Sequence, residues 1–148
     1  PLAPEPLKEF NYPDGVVLYH GEVFRALKEV VTAGDRGWGV IESLDTQDLA
    51  GCRQGDQWII PASAIDAAFY TCGVHVRKKI RGVAKIPKSI ERLRVGRSPR
   101  VGEKLLAVVR CRELSEQHSV YDFNIHGDDG SVIVMVEGYH GVLIPREG

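Results

Sequence analysis

The chain has 148 residues, 43% hydrophobic and 26% charged, with a formal net charge of −1, the proportions of a one-domain globular protein able to build its own core. No apolar run approaches the roughly 18 residues of a membrane span, and no signal peptide is visible. The three cysteines (Cys52, Cys72 and Cys111) are odd in number and widely spaced, with no CxxC pair or His/Cys ligand spacing, so neither a disulfide framework nor a zinc site is suggested and free thiols in a reducing cytoplasm are expected.

Residues 1–15 hold four prolines in their first thirteen positions and read as a linker; with Met135 the only methionine, the chain reads as a piece of a longer polypeptide. The domain is expected over 16–148. Residues 16–31 begin with an extended run, after which Phe24, Leu27 and Val31 at helical spacing predict one or two helical turns. "GWGVIESL" (37–44) predicts a strand, and the polar stretch after it an exposed loop.

"PASAIDAAFYTCGVHV" (61–76) predicts the one substantial helix, over about Ala62 to Val76. Pro61 stands at its start, and Ile65, Ala68, Phe69, Cys72 and Val76 form an apolar stripe. Downstream, "SIERLRV", "EKLLAVVRCREL" and "VYDFNI" alternate as strands do, and Asp129-Gly130 predicts a hairpin turn leading to a long strand broken by Gly138. One helix followed by four long antiparallel strands is an α+β plan in which a curved sheet wraps a central helix, the hotdog arrangement; periodicity equally permits other helix-on-sheet layouts.

Asp66 is the one charged residue between Asp56 and Arg77. One reading is structural: Ser63-x-x-Asp66 has the form of a capping box tying off the first helical turn. The other is chemical. A carboxyl group walled by Ile65, Ala67 and Phe69 loses hydration, stays protonated near neutrality and can protonate a leaving group. Ten Lys/Arg against Glu91 alone between Arg77 and Arg100 read either as solvated faces of a helix end and an edge strand, or as a docking surface for an acidic partner. Nucleic acid is not expected, since the patch lacks interleaved aromatics and the chain is near neutral. Cys72 is expected in the core and His75 near the last helical carbonyls, while His118, His126 and His140 lie in strand or hairpin contexts without a triad pattern.

The blocks "YHGEVFRAL", "PASAIDAAFYTCG", "KIPKSIERLRV" and "DFNIHGDDGSVIVMVEGY" resemble the dehydratase domains of polyketide synthases and polyunsaturated fatty acid synthases, over roughly 16–145 and over the second half of such a domain only. The resemblance implies the C-terminal hotdog of a double hotdog, acting on a 3-hydroxyacyl thioester carried by an acyl carrier protein. It aligns Asp66 with the aspartate of D-x-x-x-Q or D-x-x-x-H, the acid that protonates the departing hydroxyl, and Tyr70 with the residue that orients it.

Tyr19, His20, Gly21, Phe24, Pro61 and Phe69 are the implied substrate-binding residues, and Arg77, Lys78, Lys79 and Arg81 the implied carrier-docking residues. No metal or other cofactor is implied beyond the carrier's phosphopantetheine.

The sequence departs from the family pattern at several places. Position 70 is Tyr rather than Gln or His, four residues instead of three separate Pro61 from Asp66, and Y-G-P-x-F reads His20-Gly21-Glu22-Val23-Phe24. The histidine motif H-x-x-x-G-x-x-x-x-P, which supplies the base, is absent. The base is therefore expected from a preceding hotdog or a second subunit, with the lone unit pairing as a homodimer; His20 is the best internal candidate. The alternatives are a product-template-like cyclase half, and a non-catalytic acyl-binding or dimerisation module in which Asp66 only caps the helix.

Overall fold

Runs of alternating apolar residues pair into one antiparallel sheet. The structure is a computed structural model describing residues 6–11, 25–43 and 60–146. Its strands are β1 (Lys8–Glu9), β2 (Leu27–Ala33), β3 (Arg36–Glu42), β4 (Val83–Val95), β5 (Lys104–Leu114), β6 (His118–His126) and β7 (Val132–Pro145), and among the described residues one helix, α1 (Ala62–Lys79), lies between β3 and β4. The sheet order is β1-β2-β3-β5-β6-β7-β4, with every neighbour antiparallel.

The faces follow the period of two. In β5, Leu105, Ala107 and Val109 are buried against the helix while Arg110 and Arg112 face water; in β6, Tyr121, Phe123 and Ile125 do the same. Burying a side chain such as Leu105, Val109, Phe123 or Ile125 stabilises by about 1.5–3 kcal/mol.

Three expectations change. Leu27–Ala33 is a strand, not helical turns. A bulge between Leu27 and Glu29 breaks its alternation, so the buried positions are Leu27, Val30 and Val31, the spacing a helix would show. The last strand is continuous through Gly138, which takes φ +66 without ending the ladder. The helix also runs on to Lys79, past Gly73; Arg77, Lys78 and Lys79 fill its last turn, where cations favour the dipole.

α1 packs across β2, β3, β4, β5 and β6, with its stripe in the core as expected. It comes closest at β3, where a Cβ on Gly39 would stand 2.4 Å from Thr71 Oγ1. Among the described residues no helix is long and apolar enough to cross a membrane.

Residues 96–103 carry the chain from β4, at one edge, across the hairpin end to β5 in the middle. An ionic clasp holds this strap to the β6–β7 turn. Arg97 grips the fully buried Glu103 carboxylate through two nitrogens and reaches Ser131 Oγ (2.7 Å) and Asp129 (3.0 Å). The backbone amides of Arg100 and Asp128 both donate to Glu103 at 3.0 Å. Arg97 first, and these amides after it, hold the Glu103 carboxyl well below the usual carboxylate range.

Candidate active site on the central helix

The helix begins at Ala62, with Pro61 as its N-cap, and no side chain caps it. Ser63 lies buried inside the first turn and that turn holds no acid, so the expected capping box does not form. The box needs Ser63 outside the helix, and the helix starts too early for that. Asp66 therefore sits in the second turn, half-buried, with Oδ2 out of solvent. The dipole's pull on a carboxylate has largely fallen away there.

Asp66 and Tyr70 lie four residues apart and share a face of α1. Tyr70 is half-buried, and Phe10 meets its ring edge-on at 5.5 Å. Burial raises the Tyr70 phenol above its ordinary range and the Asp66 charge adds to this, with Arg77, Arg146 and Arg25 opposing. The hydroxyl is thus a proton-bearing donor near neutrality.

Phe69, on the adjoining face, stacks on Tyr139 at 4.1 Å and meets Phe123 edge-on at 5.9 Å, making an aromatic wall beside Asp66. Burial, then the charges of Cys72 and Asp66, also hold the Tyr139 phenol up. Pro61 is buried at the helix start. Among the implied docking residues, Lys78, Lys79 and Arg81 are exposed, whereas Arg77 is half-buried and its charge bears on Tyr70. Tyr19, His20, Gly21 and Phe24 lie outside the described residues, as does Cys52.

His75 is a core residue rather than a partner of the terminal carbonyls. Its Nε2 lies 2.8 Å from the Gly34 carbonyl and its Nδ1 2.7 Å from the Tyr121 hydroxyl. Since a carbonyl only accepts, Nε2 carries the proton and Tyr121 donates to Nδ1. Burial lowers its pKa, which keeps the ring neutral. Cys72 is fully buried and its thiol is pushed up to about 12, mainly by burial, which makes it a core residue and no nucleophile.

Lys85 escaped the sequence reading, which counted it with the exposed basic residues. Its Nζ is buried with no hydrogen-bond acceptor among the described residues, 3.7 Å above the Tyr139 ring and 4.4 Å from that of Tyr121, and burial lowers its pKa to about 8. The available signal was its phase, two residues from the buried Val83 and so on the core face.

A helix lying in a curved antiparallel sheet is the hotdog fold, and the solved structures this chain resembles share it. The dehydratase domain of the CurJ module of the curacin polyketide synthase superposes with a TM-score of 0.68 at 15% identity, covering 84% of this chain and 44% of that one. The dehydratase domain of RzxB from Pseudomonas fluorescens gives 0.66 at 15% identity, over 82% and 42%. A thioesterase from Haemophilus influenzae gives 0.57 at 14%, over 79% and 78%. The chain thus spans less than half the length of these two dehydratase domains.

No curated protein matches the sequence significantly. The family model described as the polyketide synthase dehydratase N-terminal domain matches residues 15–148. The chain belongs to the polyketide synthase dehydratase family.

Proposed function

We propose that this chain is the aspartate-bearing, C-terminal hotdog of a dehydratase unit that removes water from a 3-hydroxyacyl thioester on an acyl carrier protein. The matching family description names the N-terminal domain. The assignment to the other half rests on two supports: the histidine motif of the first hotdog is absent from the sequence, and the resemblance aligns Asp66 with the acid of the second hotdog and Tyr70 with its orienting neighbour. A histidine of a companion hotdog removes the α-proton, Asp66 protonates the departing hydroxyl, and the C–O bond breaks to give the 2-enoyl thioester and water. Tyr70 orients the acid, and the Phe69–Tyr139 wall keeps water away from it.

The observation that carries this reading is the position of Asp66. It is half-buried in the second turn beside aromatic rings, where the cap it was otherwise expected to form does not exist. Exposed Lys78, Lys79 and Arg81 at the helix end offer positive charge to an acidic carrier. The test is Asp66→Asn in a complete two-hotdog unit, assayed with a 3-hydroxyacyl thioester. Loss of turnover in a folded protein supports the proton-donor role; full turnover would leave Asp66 without one.

A further inference from the structure

On the sheet face away from the helix, a second constellation of polar side chains stands apart from Asp66. His118 on β6 and His140 on β7 are diagonal neighbours, since His140 lies opposite Val120. Their rings are 5.2 Å apart between centroids, and His118 Nε2 lies 3.1 Å from His140 Nδ1. The far nitrogen of His140, Nε2, lies 3.0 Å from Glu91 Oε1 on β4. A carboxylate only accepts, so Nε2–H of His140 donates to Glu91 and, in the neutral ring, Nδ1 presents its lone pair to His118.

The carboxylate that fixes this tautomer is itself held in place. A Cβ at Gly138 would lie 2.1 Å from Glu91 Oε2, so the carboxylate rests where only glycine, here at φ +66, leaves room. Arg112 lies 3.8 Å from Glu91 and 3.3 Å from Asp122, and Asp122 accepts the Gly138 amide at 2.9 Å. Arg110 stands 3.8 Å from Asp122. The cations near the pair are thus engaged by carboxylates.

We propose that His118 Nε2 and His140 Nδ1 form a two-imidazole site for a borderline divalent transition ion such as Ni²⁺, Cu²⁺ or Zn²⁺, with water in the remaining positions. Two nitrogens 3.1 Å apart, each about 2.1 Å from a metal, subtend about 95°, which suits adjacent positions of an octahedral or square ion. A carboxylate on the far nitrogen of a ligating histidine is the usual outer support of such sites, fixing the ring and raising its basicity. On binding, the His118 proton shifts from Nε2 to Nδ1, and both facing lone pairs go to the metal in place of the hydrogen bond. Since protons compete for these lone pairs, acidification weakens binding. Hard, oxygen-seeking Mg²⁺ is not taken.

The test is titration of the purified, tag-free chain with Ni²⁺ in a calorimeter, with Mg²⁺ as control. One saturable Ni²⁺ site is expected, weakened at least tenfold by His118→Gln or His140→Gln, and by about tenfold in Glu91→Gln, the scale for losing an outer carboxylate. Gln at 118 keeps a donor toward His140, which separates ligation from packing. In the unsubstituted chain, Ni²⁺ should also protect His118 and His140 from carbethoxylation. Absence of saturable binding, binding that His118→Gln leaves unchanged, or unprotected histidines would each overturn the proposal.

Discussion

The two halves of α1 hold polar side chains on opposite terms. In the second half, His75 is sealed in the core with both nitrogens engaged, and Thr71 donates to the Ala67 carbonyl at 3.0 Å. In the first half, Asp66 and Tyr70 lie half-buried on a face walled by aromatic rings. Asp66 and Tyr70, the proposed chemical groups, are thus set apart from His75 and Thr71 by exposure as well as by their neighbours. The distinguishing property is whether the group lies sealed in the core or at a partly open face.

The strongest way to break this comparison is to exchange loss of chemistry for loss of stability between the halves. In a complete unit, Asp66→Asn should lower turnover by about 10²–10⁴-fold, the range for removing a positioned acid, while the melting temperature stays near that of the parent. His75→Phe should do the reverse. It keeps the ring's bulk but strands the Gly34 carbonyl and the Tyr121 hydroxyl, costing about 3 kcal/mol in denaturant unfolding with little change in turnover per folded molecule. If Asp66→Asn destabilised and His75→Phe did not, the division would fail.

His75 also gives the comparison a pH dependence. Burial lowers its folded-state pKa, so the unfolded chain binds the proton more readily. Its contribution is complete above the ordinary imidazole range and is lost as pH falls through about 6.5 and below. Urea midpoints across pH 5–8 should show this fall in the parent and lack it in His75→Phe.

Lys85 sharpens the comparison from the opposite side, as a buried cation over two tyrosine rings with no hydrogen-bond acceptor among the described residues. Its pKa is lowered to about 8, so stability should rise as pH climbs from about 8 through the ordinary lysine range, where the unfolded chain keeps the proton that the folded one releases. Lys85→Met should remove that rise and stabilise the protein at pH 7 by up to about 3 kcal/mol, less whatever the tyrosine faces return to the ammonium. An unchanged or lower unfolding midpoint for Lys85→Met would show that the rings hold the charge adequately. The smallest effect is expected at Tyr70: on the proposed mechanism Tyr70→Phe removes the orienting donor but not the acid, and about a tenfold loss of turnover should result, at roughly 1.4 kcal/mol per tenfold.

Much of this was legible in the sequence, and the failures have physical causes. β5, β6 and the helix announce themselves because Leu105, Ala107 and Val109, then Tyr121, Phe123 and Ile125, alternate and the helical stripe keeps its spacing, and Asp66 stands out because its neighbours in sequence are apolar. β2 reads as helical because its bulge converts alternation into helical spacing, and that bulge depends on pairing with β3. The capping box failed by the placement of the helix start, which local residue preferences leave free by a position or two. The His118–His140–Glu91 constellation could not be read at all. It exists only through the register of three strands, and nothing in the spacing of residues 91, 118 and 140 records that register.

The strap over the hairpin end has a consequence for how the chain bears its entropy. β4 joins the sheet through residues about forty to sixty positions away on β7, the kind of pairing whose loop-closure cost must be met before any hydrogen bond returns it. The β5–β6–β7 meander asks for no such outlay, because its turns are short. The Arg97–Glu103 clasp acts where the long loop would otherwise be loosest: it ties the crossing segment to the hairpin through the Asp128 amide on the buried Glu103 carboxylate and through Arg97 on Ser131 and Asp129. The most distant strand of the sheet is thereby fastened at its exit as well as along its length, and fraying at that edge must loosen an ionic lock before it can spread.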